Sequence, residues 1–289
     1  MTLDVPHHVW RCPACGDSLQ VQQKQWLCAN QHSFDMAKEG YVNLLLAQHK
    51  NSKAPGDNKE MVMARREFLN QDHYLPLAEK IASLIVEYTA IKQYSAGARL
   101  PLFDAGCGEG YYLRKVSSSV QAQMSDDAIN IKASGIDISR AAVQKAAKQA
   151  KEHHYAVAST YALPLNDGSQ HAVIQVFAPS DENEIKRVLS DNGIWITVNP
   201  APSHLTALKQ MVYDNAQQHK ANLPTPKGFK LLSHQQLNVN VTLPDEASRL
   251  NLLMMTPYFW SISTDKKNKL IEELQEVEAS FDINVYGIA

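Results

Sequence analysis

Residues 100–116 read LPLFDAGCGEGYYLRKV: an apolar run ends on Asp104, glycines follow at Gly106, Gly108 and Gly110, and a helical pattern begins at once. Such a stretch predicts a strand, a tight turn and a helix N-terminus whose amides can receive the polar end of a ligand. The spacing D-x-G-x-G-x-G differs from the dinucleotide fingerprint G-x-G-x-x-G, because its third glycine comes one residue early. Downstream, ASGID (133–137) is a second apolar strand ending on an acid, Asp137, and SRAAVQKAAKQAKEH (139–153) predicts a helix capped by Ser139. An acid in that place can accept both hydroxyls of a ribose at the switch point of a doubly wound sheet. YAVAST (155–160) and HAVIQVFAPS (171–180) read as third and fourth strands on either side of the polar loop LPLNDGS (163–169). GIWITVNP (193–200) reads as a fifth after an Asn192-Gly193 turn, HLTALKQMVYDNA (204–216) as a helix, and FKLLSHQQLNVNVTL (229–243) with SFDINVYGIA (280–289) as a closing pair. Strands alternating with helices define an α/β domain.

The 289 residues leave room for a second, smaller unit beside it. With 44% hydrophobic and 20% charged residues the chain can bury a sizeable core, which excludes disorder over most of its length. Twenty-eight Lys and Arg against 30 Asp and Glu give a net charge of -2, so any nucleic-acid contact must be a local patch rather than bulk attraction. No run approaches the roughly 18 apolar residues of a membrane span, and MTLDVPHHVW lacks a basic region followed by an apolar one. The cytoplasm is the expected address.

Three of the four cysteines fall in the first tenth of the chain. Cys12, Cys15, Cys28 and His32 spell C-x2-C-x12-C-x3-H, the spacing of a Cys3His zinc site. Two residues between cysteines let a knuckle turn aim both sulfurs at one ion, and a facing pair closes the tetrahedron. Four protein ligands leave no position for water, so one zinc would be structural. HVWRC (8–12) and SLQVQQKQWLC (18–28) are expected to form a hairpin, and SFDMAKEGYVNLLL (33–46) a strand pair turned at Lys38-Glu39-Gly40. His7 and His8 are competing ligands with poorer spacing. Cys107, between glycines, reads as packing rather than as a nucleophile.

Between the two units, QHKNSKAPGDN (48–58) is a polar linker marked by Pro55-Gly56. Asp57 and Glu60 have the form of a capping box, and NKEMVMARREFLNQ (58–71) sets Met61, Ala64, Phe68 and Leu69 on one helical face, with Arg65 and Arg66 beside the linker. A second helix is expected from near Pro76, directly after Tyr74.

The acid-glycine run and the second acid resemble the class I S-adenosylmethionine-dependent methyltransferases over Leu100 to Ala289. Together with C-P-A-C, FDMAKEGYVNLL, GDNKEMVMARREFL, DAGCGEGYY and MTPYFW (255–260), almost the whole chain is similar to the bacterial 23S ribosomal RNA (guanine-N1)-methyltransferases, in particular their Gram-negative branch. The resemblance implies a Rossmann-like, seven-stranded domain with an antiparallel last strand, preceded by a small zinc ribbon, with units at 1–49, 50–99 and 100–289. It implies methyl transfer from S-adenosyl-L-methionine to N1 of one guanine in a hairpin of 23S rRNA, with the ribbon helping to recognise RNA. It maps the zinc ligands to Cys12, Cys15, Cys28 and His32, and the cofactor site to Tyr74, the Gly108-Glu109 turn, Asp137 and His204, beside Asp104, Gly106 and Gly110. It leaves room for a homodimer. Ser180 stands where the family pattern usually has a cysteine, which argues against an essential thiol there.

Guanine N1 carries a proton at neutral pH, so transfer also needs an acceptor for it. Asp181, Glu182 and His204 are candidates, and Tyr111, Tyr112, Phe177, Tyr258 and Phe259 are candidate base stackers. RNA contact would rest on placed cations such as Lys38, Lys53, Arg65 and Arg66. A small-molecule methyltransferase with a zinc lid, and a noncatalytic RNA-binding module, stand as alternatives.

Overall fold

The computed structural model describes residues 9–46, 48, 56–89, 98–124, 129–213 and 224–289. His7, His8, Lys53, Pro55 and the tail of the 204–216 helix lie outside them. The large sheet is built from β5 (Ala98–Ala105), β6 (Ile129–Asp137), β7 (His154–Val157), β8 (Gln170–Val176), β9 (Leu189–Pro200), β10 (Phe229–Thr242) and β11 (Glu276–Ile288). Their order is β10-β11-β9-β8-β5-β6-β7, with β5 through β9 parallel and β11 antiparallel to both neighbours. Leu100, Leu102, Phe103, Ala172, Val173, Ile174 and Ile196 are buried, as expected of parallel strands covered on both faces.

Helices α1 (Lys59–Leu69), α2 (Leu75–Tyr88), α3 (Tyr111–Gln123), α4 (Arg140–Gln149), α5 (Glu182–Val188), α6 (Thr206–Val212), α7 (Glu246–Met254) and α8 (Thr264–Glu273) complete the body. Ser139 caps α4 through its hydroxyl as expected. The cap of α1 is Asn58, which accepts the Met61 amide at 2.9 Å, and not Asp57, whose carboxylate is engaged by Arg65. The buried face of α1 uses Val62, Ala64, Phe68 and Leu69, with Met61 only half-buried. Asn192-Gly193 is not a turn between elements either. It lies within β9, where the register jumps from Gln170↔Leu189 to Ala172↔Ile194 and residues 190–193 form a bulge.

In the N-terminal unit β1 (Gln20–Gln22), β2 (Gln25–Leu27) and β3 (Ser33–Asp35) form an antiparallel sheet, joined to HVWRC by the single bridge Arg11↔Ser18. The expected pair across Lys38-Glu39-Gly40 shrinks to one bridge, Met36↔Val42. β4 (Val42–Asn43) instead pairs parallel with β7, making an eighth strand of the large sheet beyond the seven expected. The apolar run Leu44-Leu45 needs burial on both sides, and the open edge of β7 offers it together with backbone partners: the Leu44 amide donates to Val157 O at 2.9 Å.

Trp10, Cys12, Leu19, Trp26 and Leu44 share one buried cluster with Phe103, Ile136, Ala156 and Leu163 of the large sheet and its loops. Polar ties reinforce the seam. Arg140 Nε donates to the Tyr41 hydroxyl (2.9 Å) and Gln144 Nε2 to Glu39 (3.0 Å). Arg187 binds Leu163 O, Leu165 O, Glu184 and Asp167, and Arg11 reaches the same Asp167 at 3.2 Å. Both arginines lining the groove between ribbon and body are therefore engaged by the protein itself. Because the core runs through the seam, Leu44→Ala should remove about 2–5 kcal/mol from the unfolding of the whole chain. Denaturant titration should show one transition with a lowered midpoint, and an unchanged main transition with a separately melting ribbon would contradict this.

Candidate metal centre and cofactor site

The four cluster residues converge. Their ligand atoms all lie within 4.8 Å of one another, with Cys15 Sγ to Cys28 Sγ at 3.6 Å and His32 Nδ1 at 3.6 Å from Cys12 Sγ and 3.4 Å from Cys28 Sγ. Zinc–sulfur bonds of about 2.3 Å in a tetrahedron require ligand–ligand edges of about 3.6–3.8 Å, so the donor set fits zinc. Local backbone sets this geometry. The Cys12 amide donates to Asp17 O and Gly16 N to Cys12 O, closing the knuckle, while Cys28 N to His32 O and Gln31 N to Cys28 O close the second turn.

The second site lies at the C-terminal ends of β5 and β6, where the chain leaves the sheet at the switch point. Asp137 joins the two loops: its Oδ2 accepts the Gly108 amide at 3.0 Å and its Oδ1 the Ser139 amide at 2.7 Å. Burial raises its pKa above the ordinary range even so. Asp104 is 1% exposed, its Oδ2 has no hydrogen-bond partner, and burial followed by the charge of Asp137 holds its pKa well above normal. Glu109 is equally buried, with both oxygens outside hydrogen-bond range and Arg114 3.6 Å away; burial raises its pKa against the pull of Arg114 and Arg66. Two buried acids and the half-buried Asp137 thus surround one turn.

The glycines serve this turn in different ways. Gly106 sits at φ +93°, and a β-carbon there would come within 2.4 Å of the Ala178 methyl, so the turn and the β8 loop touch backbone to side chain. Gly108 sits at φ +55°, and a β-carbon added there would meet nothing within 4 Å, which leaves open space for a ligand. Gly110 packs on Ala146 and Tyr155. Cys107 is buried against Gly135, in keeping with a packing role.

Tyr74 is buried at the start of α2, its ring edge-on to Phe68 and Phe281 at 5.3 and 5.1 Å. His204 is 8% exposed; its Nδ1 lies 2.7 Å from Ser280 O, and since a carbonyl only accepts, Nδ1 carries the proton and Nε2 is the acceptor in the neutral ring. Asp181 is spent capping α5, and Glu182 accepts the Lys227 amide. Tyr111 is buried and donates to Asp72, while Tyr258 and Phe259 pack against the core; Phe177 stands exposed. Arg65, a candidate RNA contact, pairs with Asp57 and reaches Met255 O at 3.4 Å. Lys38 remains exposed on the ribbon.

A roof over Asp137 is absent from the sequence-based expectations. The Asp57 carbonyl accepts the Ser139 hydroxyl at 2.9 Å, Gly56 lies against Ile138 and Ser139, and the Arg65–Asp57 pair acts on the charge of Asp137. A salt bridge eight residues apart across a linker leaves no periodic trace that could have found it.

Residues 10–53 match the zinc-ribbon family model described as RlmA, N-terminal, and residues 97–278 the model described as Methyltransferase domain. The 23S rRNA (guanine(748)-N(1))-methyltransferase of Streptomyces fradiae is 32% identical over 270 residues, covering 91% of this chain and 90% of its own. YxjB of Bacillus subtilis, whose name carries 23S rRNA (guanine-N1) methylation as a provisional assignment, is 29% identical, covering 99% and 98%.

Two outcomes follow from this geometry. Protein prepared without chelators should carry a single zinc per chain by metal analysis, and Cys28→Ser should carry none. At pH 7 Asp104→Asn should stabilise the ligand-free protein, by about 0.5–2 kcal/mol, because it removes a carboxyl whose ionisation burial opposes in the folded state. As the folded-state pKa of Asp104 is raised, wild-type stability rises as pH falls through that value, so the gap between the two proteins should narrow on acidification in thermal melts.

Proposed function

The chain belongs to the 23S rRNA (guanine-N1)-methyltransferase family, and we propose that it transfers the methyl group of S-adenosyl-L-methionine to N1 of a guanine in a hairpin of 23S rRNA. The observation that carries this reading is the group of acids around an open glycine turn: Asp104 and Glu109 buried, and Asp137 half-buried at the end of β6. Buried carboxylates are costly unless a ligand compensates them. A ligand bearing ribose hydroxyls and positive charge does both parts of that work.

S-adenosyl-L-methionine supplies a methyl group already activated on a positively charged sulfur, so little acid-base help is needed at the leaving side. In this reading Asp137 keeps its two backbone bonds and offers its remaining lone pairs to the ribose hydroxyls. Gly106, Gly108 and Gly110 let backbone approach the ligand, and Asp104 and Glu109 complement its charge. Tyr74 and His204 wall the side toward β11. The Arg65–Asp57 pair sets the charge around Asp137. Positioning supplies much of the acceleration, up to about 7–11 kcal/mol for a well-aligned pair. His204, whose Nδ1 donates to Ser280 O and so makes Nε2 the basic nitrogen of the neutral ring, is the acceptor we assign to the guanine N1 proton.

The ribbon, residues 1–49 in this reading, recognises RNA by shape and by placed groups such as Lys38 rather than by bulk charge. No helix among the described residues is long and apolar enough to cross a membrane, and the cytoplasm is the address that a ribosomal RNA substrate implies.

Tritium transfer from labelled cofactor to unmodified 23S rRNA, set against a pool of small molecules, tests the reading; label in N1-methylguanine is expected, and label only in small molecules would overturn it. Asp137→Ala should weaken cofactor binding on the order of 10- to 100-fold, the loss of bonds to a charged acceptor, while RNA affinity stays near wild type. Cys28→Ser should show the opposite pattern, with lost RNA binding.

A further inference from the structure

Five non-glycine residues among those described hold positive φ, and two of them, Phe177 (+54°) and Leu205 (+52°), lie on the two segments that meet at His204. Non-glycine residues occupy this region only when their surroundings over-determine it, and such positions gather at functional sites. Phe177 is the first residue beyond β8 and is 43% exposed. Its surroundings do over-determine it. The Phe177 amide donates to Val198 O at 3.0 Å, and Gln175 Nε2 donates to the Ala178 carbonyl. The Ser180 hydroxyl (2.8 Å) and Trp195 Nε1 (3.1 Å) both donate to Gln175 Oε1, fixing that side chain in turn.

The ring is supported from within. It leans on His204 and Phe281 with centroids 5.7 and 5.9 Å away, and those two rings meet each other at 5.2 Å. Its outer part is bare. An aromatic side chain held at strained backbone, propped by buried rings and left open to solvent runs against what folding alone favours.

Its address in the fold gives the ligand. β8 neighbours β5 on the side away from β6, and Ala178 is pressed against Gly106 of the cofactor turn. The ribose end belongs with Asp137 at the tip of β6, so the other side of the switch point, at the tip of β8, is left for the methyl acceptor. We propose that Phe177 is the platform on which the acceptor guanine stacks, its π-face setting the plane in which N1 meets the methyl group. This rests on the guanine-methyltransferase reading above. In the step it serves, the N1–H bonding electrons stay on N1 as an in-plane lone pair as the proton leaves for His204. The N1 lone pair then forms the N–CH3 bond while the C–S bond breaks, its electrons staying on sulfur as S-adenosylhomocysteine.

The test uses the full chain and unmodified 23S rRNA made by transcription. Phe177→Leu keeps apolar bulk and removes the π-face; its kcat/KM for RNA should fall on the order of 10- to 100-fold, the fold-change of one lost base–aromatic stack. Its cofactor Kd and thermal melt should stay at wild-type values, and Phe177→Trp should recover most of the lost turnover. Wild-type kinetics in Phe177→Leu, or a parallel loss of cofactor binding, would overturn the platform alone. A wild-type enzyme that leaves the RNA unmethylated would overturn the functional reading and the platform with it.

Discussion

The carboxylate of Asp137 holds the site together. It takes the Gly108 amide from the turn after β5 and the Ser139 amide from the start of α4, and with the Gly106 and Cys107 amides both donating to Ile136 O the two loops are locked together at one point. Ser139 passes the restraint on to Asp57 through its hydroxyl, and α4 passes it to the zinc ribbon through Arg140–Tyr41 and Gln144–Glu39. The glycine turn, the roof over it and the metal-binding unit are thereby referred to a single acid at the end of a central strand.

That arrangement is costly to the empty protein. Burial raises the pKa of Asp104, Glu109 and Asp137, and Asp104 and Glu109 have oxygens without a hydrogen-bond partner. Charges gathered in low dielectric are tolerated where a ligand compensates them, and the fold offsets the cost with a sheet whose strands are buried on both faces. Stability and chemistry are drawn from different parts of the same strands: the middle of β5 is Leu102 and Phe103, its tip Asp104.

What the sequence made legible follows from range. The metal cluster is written in local spacing, because two knuckles fix their own sulfurs, and the succession of strands along the chain was recoverable from apolar runs that end on acids and glycines. Misreadings came where a longer-range partner decided the outcome. Asp57 looks like a cap until Arg65 claims it, and Asn58 caps in its place. Asn192-Gly193 looks like a turn until the pairing of β9 with β8 draws it into a bulge. Val42-Asn43 looks like half of a ribbon hairpin until the edge of β7 competes for it. The exposed, strained state of Phe177 has no signature in a string of letters, since it is imposed by Gln175, Val198 and two rings from elsewhere in the chain.

The pairing of β4 with β7 also bears on how such enzymes can be taken apart. β7 lies next to β6, and Val157 is at once the partner of Asn43 and of Asp137. Cutting away the ribbon would therefore bare a raw sheet edge one strand from Asp137, with unpaired amides and carbonyls and the apolar floor beneath Leu44. An edge of that kind recruits other chains. The ribbon thus guards the solubility of the catalytic body as well as sitting beside it, and exchanging ribbons between relatives would succeed only if the incoming unit brings a strand in the same register.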